Sequence, residues 1–414
     1  MGTEVAITKI TCFMRNIILF DNKENRENLL PLTFTRPVAD IRVGIETFTE
    51  KWQRIFPDAE ISHLTVEYLR RKFVPKYTSD TLFIVGHVIP DDAFVEAVSS
   101  LALRHAIVKD GMLLAYRGDK AGFDAACLGY RDSSTEWDKE LLSVNFNYDI
   151  FMLNDTALAL DYHRIVAGRE SQPVSDSNII IGDRYFPDGT PRLFLEEGAK
   201  MEGAIVNLTK GPVYIGKDAE VMEGACIRAP FAGCTHSVVN MGAKVYGATT
   251  LGPYCKVGGE VNNVVFIGYS NKAHDGFLGN AVIGEWCNIG GGTTASNLKN
   301  DYGEIKLWNY PQARFVRTGL QFCGLIMGDH TKLGVNTMIN TATVLGVGVN
   351  IHGTGFPRNF VPSFSEGGSS GFVDVSLTKF FTIAERMMAR RNKVLSEDDK
   401  EMFKSIYSIA DNYK

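Results

Sequence analysis

Several features that would place a protein in a specialised class are missing from this sequence of 414 residues. It has no apolar run of ~18 residues or more, so we expect no membrane-spanning helix. It has no basic tract, and 43 Lys and Arg against 48 Asp and Glu give a net charge of −5, which argues against general nucleic-acid binding. Its seven cysteines form no C-x-x-C pair, so neither a zinc ribbon nor a disulfide scaffold is expected. The start lacks the pattern of a secretion signal, and a reducing cytoplasmic location is the default expectation.

Glycine is scarce in two parts of the chain and abundant between them. Of 40 glycines, ten precede residue 198, thirty lie between Gly198 and Gly371, and the last 43 residues contain none. The length also exceeds the ~250–300 residues that one hydrophobic core usually serves. We therefore predict an α/β domain at 1–185, a glycine-rich domain at 190–372 and a tail at 374–414.

The first part has the pattern of strands alternating with helices. Asn16–Phe20, Leu82–Val88 and Met112–Tyr116 are short apolar runs typical of buried strands. Pro90–Asp92 is a good helix start and precedes an apolar-periodic stretch that continues to Leu103. This alternation predicts a sheet covered by helices. A further run at 178–181 is either the last strand of this part or the first of the next.

The second part repeats with a period of six residues. Neither a helix nor an isolated strand predicts this period, whereas a parallel β-helix built from hexapeptides does. Three hexapeptides would close one triangular coil of about eighteen residues, with the aliphatic side chain inside. The alternative is a glycine-rich β-sandwich with chance spacing. The repeat is interrupted at 228–238 and by a long insertion at 296–324. The longest unbroken series is Met327, Leu333, Ile339, Leu345 and Ile351.

The tail has helical periodicity. Apolar residues between Leu377 and Met388 recur at helical spacing, and a helix start at 396–399 leads into a second such stretch. We predict two amphipathic helices that pack on the β-helix or on a neighbouring subunit.

The segment 267–297, IGYSNKAHDGFLGNAVIGEWCNIGGGTTASN, carries a more specific pattern. It resembles the β-helix half of the bifunctional sugar-1-phosphate nucleotidylyltransferase/acetyltransferases, whose reference member makes UDP-N-acetylglucosamine. The resemblance implies a left-handed parallel β-helix that assembles as a trimer. The matching residues are Ser270, Lys272, His274, Ile283, Gly284, Asn288, Ile289, Gly290, Gly292, Thr293 and Asn297.

The resemblance also implies roles for individual residues. His274 would be the general base that takes a proton from a sugar amine as the amine attacks acetyl-CoA, a task suited to an imidazole near neutral pH. Asn297 and Lys272 would contact the substrate, and Lys306 in the insertion would bind the sugar phosphate. Arg358 would lie near the phosphates of coenzyme A.

The sequence also departs from the family pattern. The tyrosine that usually follows the histidine by three residues is Phe277, so its hydroxyl is lost. A second family lysine falls at Gly303, although Lys299 is near. The acceptor sugar is therefore not fixed by the resemblance.

The front part resembles a divergent sugar nucleotidyltransferase domain. The loop after the first strand has no glycine until Gly44, although Arg26 and Arg36 are candidates for binding nucleotide phosphates. His87 stands where an aspartate that holds Mg²⁺ is expected, and Asp91 or Asp92 would have to replace it.

Together these patterns predict an α/β nucleotidyltransferase-like (Rossmann-like) domain, a left-handed parallel β-helix and a helical tail. The function predicted is acyl transfer from acetyl-CoA to an amino-sugar phosphate, with a front half that resembles an enzyme using UTP or dTTP and Mg²⁺. The alternative is a non-catalytic trimeric scaffold or a regulatory protein that binds a sugar nucleotide. No nucleic-acid or membrane partner is expected.

Overall fold

The front part of the chain folds into a six-stranded sheet flanked by helices. The computed structural model describes residues 16–414, so Cys12 lies outside the described residues. The strands are β1 (Asn16–Phe20), β2 (Glu60–Leu64), β3 (Thr81–Val85), β4 (His105–Lys109), β5 (Met112–Gly118) and β6 (Ser133–Glu136). Their order across the sheet is β2-β1-β3-β5-β4-β6, and only β5 runs antiparallel to its two neighbours.

Local sequence explains these elements. Every residue of β1 and β3 is buried, as expected for central parallel strands covered on both faces. Helices of this domain begin at capping residues such as Thr47 and Asp119, whose side chains accept hydrogen bonds from the first turn. The helices are α1 (Lys23–Asn28), α2 (Phe48–Ile55), α3 (Asp92–Ser99), α4 (Lys120–Cys127), α5 (Asp149–Met152) and α6 (Asn154–Val166). Short 3₁₀ turns lie at Leu32–Phe34, Val38–Asp40 and Glu67–Leu69.

The glycine-rich part is the predicted parallel β-helix, whose short strands stack on three sides of a triangular prism. Partners on adjacent coils include Val239 with Val257 and Leu333 with Ile351, each pair 18 residues apart. Two long strands, Glu260–Gly268 and Phe277–Glu285, bend around the corner between sides one and two. The segment 228–238 does not interrupt the coil, because Phe231–Gly233 pairs in register with both neighbouring coils.

Each side of the prism is a ladder of parallel strands. Side one comprises Ile179–Ile181, Ile205–Asn207, Cys226–Arg228, Lys244–Tyr246, 260–262, 277–279, Thr294–Ala295 and Met338–Ile339. Side two comprises Leu193–Leu195, Val213–Ile215, Phe231–Gly233, Thr249–Leu251, 264–268, 281–285, Ile326–Met327, Val344–Leu345 and Phe360–Val361. Side three comprises Lys200–Met201, Glu220–Val221, Val238–Val239, Lys256–Val257, Asn271–Lys272, Asn288–Ile289, Lys332–Leu333, Asn350–Ile351 and Ser365–Gly368, with Gly371–Asp374 pairing antiparallel at its end.

The corner between sides two and three carries a stack of aromatic rings. Tyr254, Tyr269, Trp286 and His330 have φ values between 52° and 60°, a left-handed conformation that costs a non-glycine residue roughly 1–2 kcal/mol. Their rings stack on those of the next coil, with centroids 4.3 Å apart for Tyr269 and Trp286. Such stacking offsets part of the backbone cost.

The tail forms the two predicted helices, α7 (Leu377–Ala389) and α8 (Glu397–Ala410), followed by a 3₁₀ turn at Asp411–Tyr413. Phe380 on α7 contacts the rings of His330 and Phe364 of the β-helix, 5.5 and 5.0 Å between centroids. On α8, Asp399 forms an ion pair with Lys72 of the front domain at 2.8 Å. Among the described residues, no helix combines the length and apolar character needed to cross a bilayer.

Candidate functional site

His274 is exposed at the corner where the chain passes from side three to side one. It follows Asn271–Lys272, and a side chain at Gly291 on the next coil would come within 3.3 Å of its Cβ atom. A glycine at that position leaves room beside the imidazole. His274 lines a cavity of about 590 Å³ on the outer surface of side three, which we call the His274 cavity.

The floor of the His274 cavity is formed by residues in register on adjacent coils. Lys256, Asn271, Asn288 and Lys332 follow one another across side three, so their side chains form a row of amides and ammonium groups. The Lys332 ammonium donates to the carbonyls of Trp286 at 3.1 Å and His330 at 2.6 Å, and burial lowers its pKa to about 8.

The opposite wall of the cavity belongs to the tail. It consists of one face and the C-terminal end of α7, with Ile383 and Met387 between three basic residues. Among the described residues that line the cavity, none is acidic. The electrostatic character therefore favours an anionic ligand beside His274. The basic residues are Arg386, Arg390 and Arg391.

Lys272 faces away from this cavity. It lies in register with Val257 and is 1% exposed inside the prism. Its ammonium donates to the carbonyls of Gly258 at 3.0 Å and His274 at 2.7 Å, and burial lowers its pKa to about 8. The structure thus gives Lys272 the task of holding the His274 corner, rather than the direct substrate contact expected from the sequence.

Asn297 does not meet His274 within one chain. Its amide donates to Asn280 Oδ1 at 2.7 Å, at the corner between sides one and two. His274 lies at the other corner of side one, and the extended strand 277–279 separates that corner from Asn280. The expectation that stacked coils bring His274 and Asn297 together is therefore not met within one chain.

The insertion forms a second concave region, which we call the insertion groove. A hairpin of Lys306–Asn309 and Arg314–Arg317 projects beside the coil edges at 340–342 and 358–360, enclosing about 1110 Å³. Lys306 and Arg358 are exposed and both line this groove, and the described residues supply neither side chain with an ion-pair or hydrogen-bond partner. Trp308 and Phe360 stack at 4.0 Å between ring centroids and form its apolar part.

The front-domain arginines lie inside the protein. Arg26 is 4% exposed, and its guanidinium donates to Asp21 at 3.1 Å, the carbonyl of Arg36 at 3.0 Å, the carbonyl of Thr33 and the hydroxyl of Tyr68 at 3.1 Å. These partners are all in the same domain, so Arg26 holds the loop after β1 in shape. It is not placed to bind a nucleotide as the sequence suggested.

Arg36 joins the front domain to the β-helix. It donates to both carboxylate oxygens of Asp329, at 3.2 and 2.5 Å, and lies 3.2 Å from Glu285. Burial lowers the pKa of Arg36, but the charges of Asp329 and Glu285 outweigh this effect and raise that pKa above its usual value. The same loop packs closely against the end of β3, because a side chain at Gly86, the residue after that strand, would come within 3.3 Å of Ala39. The nucleotide role predicted for Arg36 is replaced here by interdomain contact.

The predicted magnesium ligands do not converge. Asp91 caps α3 by accepting from the Phe94 amide at 2.7 Å, and the exposed Asp92 pairs with Arg164 at 2.8 Å. His87 is fully buried, its ring nitrogens have no hydrogen-bond partner, and burial lowers its pKa to about 4. Because Asp91 is committed to the cap and Asp92 to Arg164, these two carboxylates do not form a Mg²⁺ site in this arrangement. Across residues 16–414, no group of three or more His, Cys, Asp or Glu side chains could hold a metal ion.

Sequence reasoning missed most of the cationic lining of the His274 cavity. Arg386 and Arg390 are four residues apart and Arg391 follows directly, and that spacing was the available signal. Lys256 and Lys332 precede inward aliphatic residues of the repeat, but nothing in the sequence says which side of the prism α7 covers.

Comparison with known proteins supports the family resemblance. A family model described as sugar nucleotidyl transferase matches residues 17–170. The chain is 28% identical over 145 residues to a bifunctional sugar-1-phosphate nucleotidylyltransferase/acetyltransferase of Sulfurisphaera tokodaii, which covers 34% of this chain and 36% of the relative. These matches confirm the family resemblance predicted from the sequence.

Two further similarities are more distant. The bifunctional protein GlmU of Synechococcus elongatus is 23% identical over 219 residues, 49% of this chain and 44% of that protein. A UDP-N-acetylglucosamine acyltransferase structure, LpxA of Bacteroides fragilis, aligns with a TM-score of 0.30 and 15% identity over 58% of this chain and 83% of that chain. The chain spans less than half the length of the curated relatives it matches.

Proposed function

We propose that this chain is a sugar-phosphate-processing transferase whose β-helix transfers an acyl group from a coenzyme A thioester to the amine of an amino-sugar phosphate. The observation that carries the proposal is the His274 cavity, where an exposed imidazole faces a concave surface lined by cations and free of acids. Both substrates of such a reaction carry phosphates, and a cavity of this charge favours them.

In the proposed reaction His274 is the general base. A ring nitrogen accepts a proton from the sugar amine while the amine nitrogen forms a bond to the thioester carbonyl carbon. The carbon–sulfur bond then breaks, and the proton held by His274 passes to the leaving thiolate. The described residues give the imidazole no hydrogen bond that would occupy its ring nitrogens, which leaves them available for this transfer.

The insertion groove is the proposed site of the acceptor phosphate and of further donor contacts. Lys306 and Arg358 are unpaired cations that can bind phosphate. They lie near Asn297, across side one from His274. We therefore propose that three copies associate so that the groove of one copy faces the His274 cavity of another. Light scattering at micromolar concentration should give three times the monomer mass of 45.8 kDa, and a monomer mass would contradict this arrangement.

The acyl-transfer proposal is tested by thiol release from acetyl-CoA with a panel of amino-sugar phosphates. His274→Ala should lower turnover by about 10²–10⁴, the usual worth of a positioned general base, with an unchanged melting temperature. His352→Ala is the matched control, because His352 is another exposed histidine of the β-helix and should leave turnover unchanged. Wild-type turnover by His274→Ala would remove His274 from the reaction.

Lys306→Ala provides a separate test of the acceptor site. Because Lys306 would bind the phosphate in both the ground state and the transition state, its loss should raise the KM for the sugar phosphate with a smaller effect on kcat. An unchanged KM would place the acceptor phosphate elsewhere.

A second candidate function is favoured by the front domain. The loop that would hold nucleotide phosphates is committed to internal contacts through Arg26 and to the β-helix through Arg36. In this reading the front domain no longer transfers nucleotides, and the protein acts as a scaffold or a sugar-nucleotide-binding regulator. Thermal-shift measurements with acetyl-CoA, UTP and dTTP separate the two, since a bound ligand stabilises the fold. Stabilisation by acetyl-CoA and turnover with any acceptor would exclude the scaffold.

A further inference from the structure

The C-terminal helix α7 has two different faces, and each contacts a different part of the protein. Phe380, Ala384 and Met388 are buried, with Phe380 against the aromatic rings of the β-helix and of α8. Residues one turn apart on another face line the His274 cavity. The helix is therefore fixed by its apolar face while its second face is presented to the cavity.

The cavity face of α7 is strongly basic and uncompensated. Arg386 and Arg390 are exposed and Arg391 is half-buried, and within the described residues their guanidinium groups have neither an ion-pair nor a hydrogen-bond partner. The neighbouring Glu385 instead pairs with Lys400 of α8 at 3.2 Å. Three arginines left unpaired around one cavity are arranged for a ligand that brings its own negative charges.

A general preference for basic residues at helix C-termini explains part of this pattern but not all of it. The helix dipole favours cations in the last turn wherever they point. It does not explain why the facing wall, on a separate element, also presents Lys256 and two asparagines and no acid. Both walls of the cavity therefore favour an anionic ligand, and they meet beside His274.

We propose that α7 is the donor-binding half of the acyl-transfer site, in which Arg386, Arg390 and Arg391 bind the phosphates of a coenzyme A thioester. This inference rests on the proposed acyl-transfer function. The nucleotide end of coenzyme A carries a pyrophosphate and a 3′-phosphate, whereas a thioester on a carrier protein brings a single phosphodiester. Three guanidinium groups match the first donor class and leave charges unmet with the second, so α7 determines which donor is used.

The experiment measures binding of coenzyme A by titration calorimetry to the full-length protein and its variants. Arg386→Ala, Arg390→Ala and Arg391→Ala should each weaken binding about tenfold to a hundredfold, the range for charge-assisted hydrogen bonds. Arg70→Ala is the matched control, because this exposed arginine of the front domain lies outside both the His274 cavity and the insertion groove and should leave affinity unchanged. None of the three arginines is fully buried, and within the described residues none of their guanidinium groups forms a hydrogen bond or an ion pair, so melting temperatures should change little.

Ligand variants show which group the arginines contact. Wild-type protein should bind coenzyme A more tightly than 3′-dephospho-coenzyme A, and both more tightly than acetyl-pantetheine. The triple arginine variant should bind all three equally weakly, and added salt should weaken binding to wild type more than to the triple variant. Equal affinity of wild type and the triple variant for coenzyme A would overturn the assignment to α7.

The outcomes also separate this inference from the proposed function. If wild type binds coenzyme A but the arginine variants do so equally well, α7 is not the donor site and acyl transfer at His274 stands. If wild type binds no coenzyme A and transfers the acyl group to the acceptor only from a carrier protein, the donor assignment is overturned. If neither donor supports turnover with any acceptor, the proposed function fails together with the role of α7.

Discussion

Removing Arg36 tests whether the loop after β1 serves docking or nucleotide binding. The guanidinium is 5% exposed and donates to both oxygens of Asp329, which is itself 3% exposed. Arg36→Ala would leave a buried carboxylate between the front domain and the β-helix without its cation. The docking interpretation predicts a loss of stability, and the nucleotide interpretation predicts a loss of ligand binding.

The size of the stability loss follows from the remaining contacts. Breaking a buried pair usually costs about 3–5 kcal/mol. Asp329 would still accept from the Thr35 hydroxyl at 2.7 Å and the Glu285 amide at 2.8 Å, so we expect the lower end, about 3 kcal/mol. At about 2.1 cal/mol/K per residue, a chain of 414 residues unfolding as one unit has an unfolding entropy near 0.9 kcal/mol/K. The melting temperature should fall by about 3–4 °C.

Differential scanning calorimetry at pH 7 measures this directly. Arg70→Ala is the control, because Arg70 forms an exposed ion pair with Glu67 that should be worth less than about 1 kcal/mol. A separate, earlier transition in Arg36→Ala would also fit, since the front domain would then unfold independently. The docking interpretation would be refuted by an unchanged thermogram together with lost binding of UTP or dTTP.

Two further substitutions use the pH dependence of buried groups. Lys272→Met removes an ammonium whose pKa is lowered by burial from 10.5 to about 8. Wild type should therefore gain stability relative to the variant as the pH rises from 8 to 10.5, by up to about 3 kcal/mol in urea denaturation. A stability difference that does not change with pH would contradict the buried position of Lys272. His87→Leu removes an imidazole whose pKa is lowered by burial from 6.5 to about 4. Wild type should therefore lose stability relative to the variant as the pH falls from 6.5 to 4. If the melting temperatures of the two proteins differ by a constant amount over that range, His87 can be protonated in the folded state.

The sequence was sufficient for the fold class because the repeat itself encodes it. A period of six residues requires a short strand and a turn each time, and Leu333 and Ile351 are stacked as that period predicts. The strand at Asn16–Phe20 and both tail helices also follow from local apolar patterns. These features depend on neighbouring residues, so they are visible without tertiary contacts.

The arrangement of the candidate site depends on coil lengths, which the period does not fix. Lys272 pairs with Val257, only 15 residues earlier, so this coil is shorter than the usual eighteen and places the lysine inside the prism. Asn297 is on the next coil and donates a hydrogen bond to Asn280, at the end of the side-one strand that follows His274. The insertion leaves the coil at this point. Small changes in turn length therefore decide which corner each polar residue occupies.

The role of Arg36 was hidden for a different reason. A basic residue after the first strand of an α/β domain has the same sequence pattern whether it faces a phosphate or an aspartate of another domain. Its partner Asp329 is 293 residues away, and no local pattern connects them. In the sequence, only the lack of a glycine between β1 and Gly44 argued against a loop that wraps a phosphate.

The contacts of the tail connect these observations. α8 is held by Lys72 of the front domain, while α7 packs through Phe380 on the β-helix and on Phe403 of α8. The wall of the His274 cavity that carries the arginines is therefore positioned by both domains. A front domain that holds α8 in place thereby also fixes α7, the helix that closes the proposed acyl-transfer site, whatever role its own loop after β1 has.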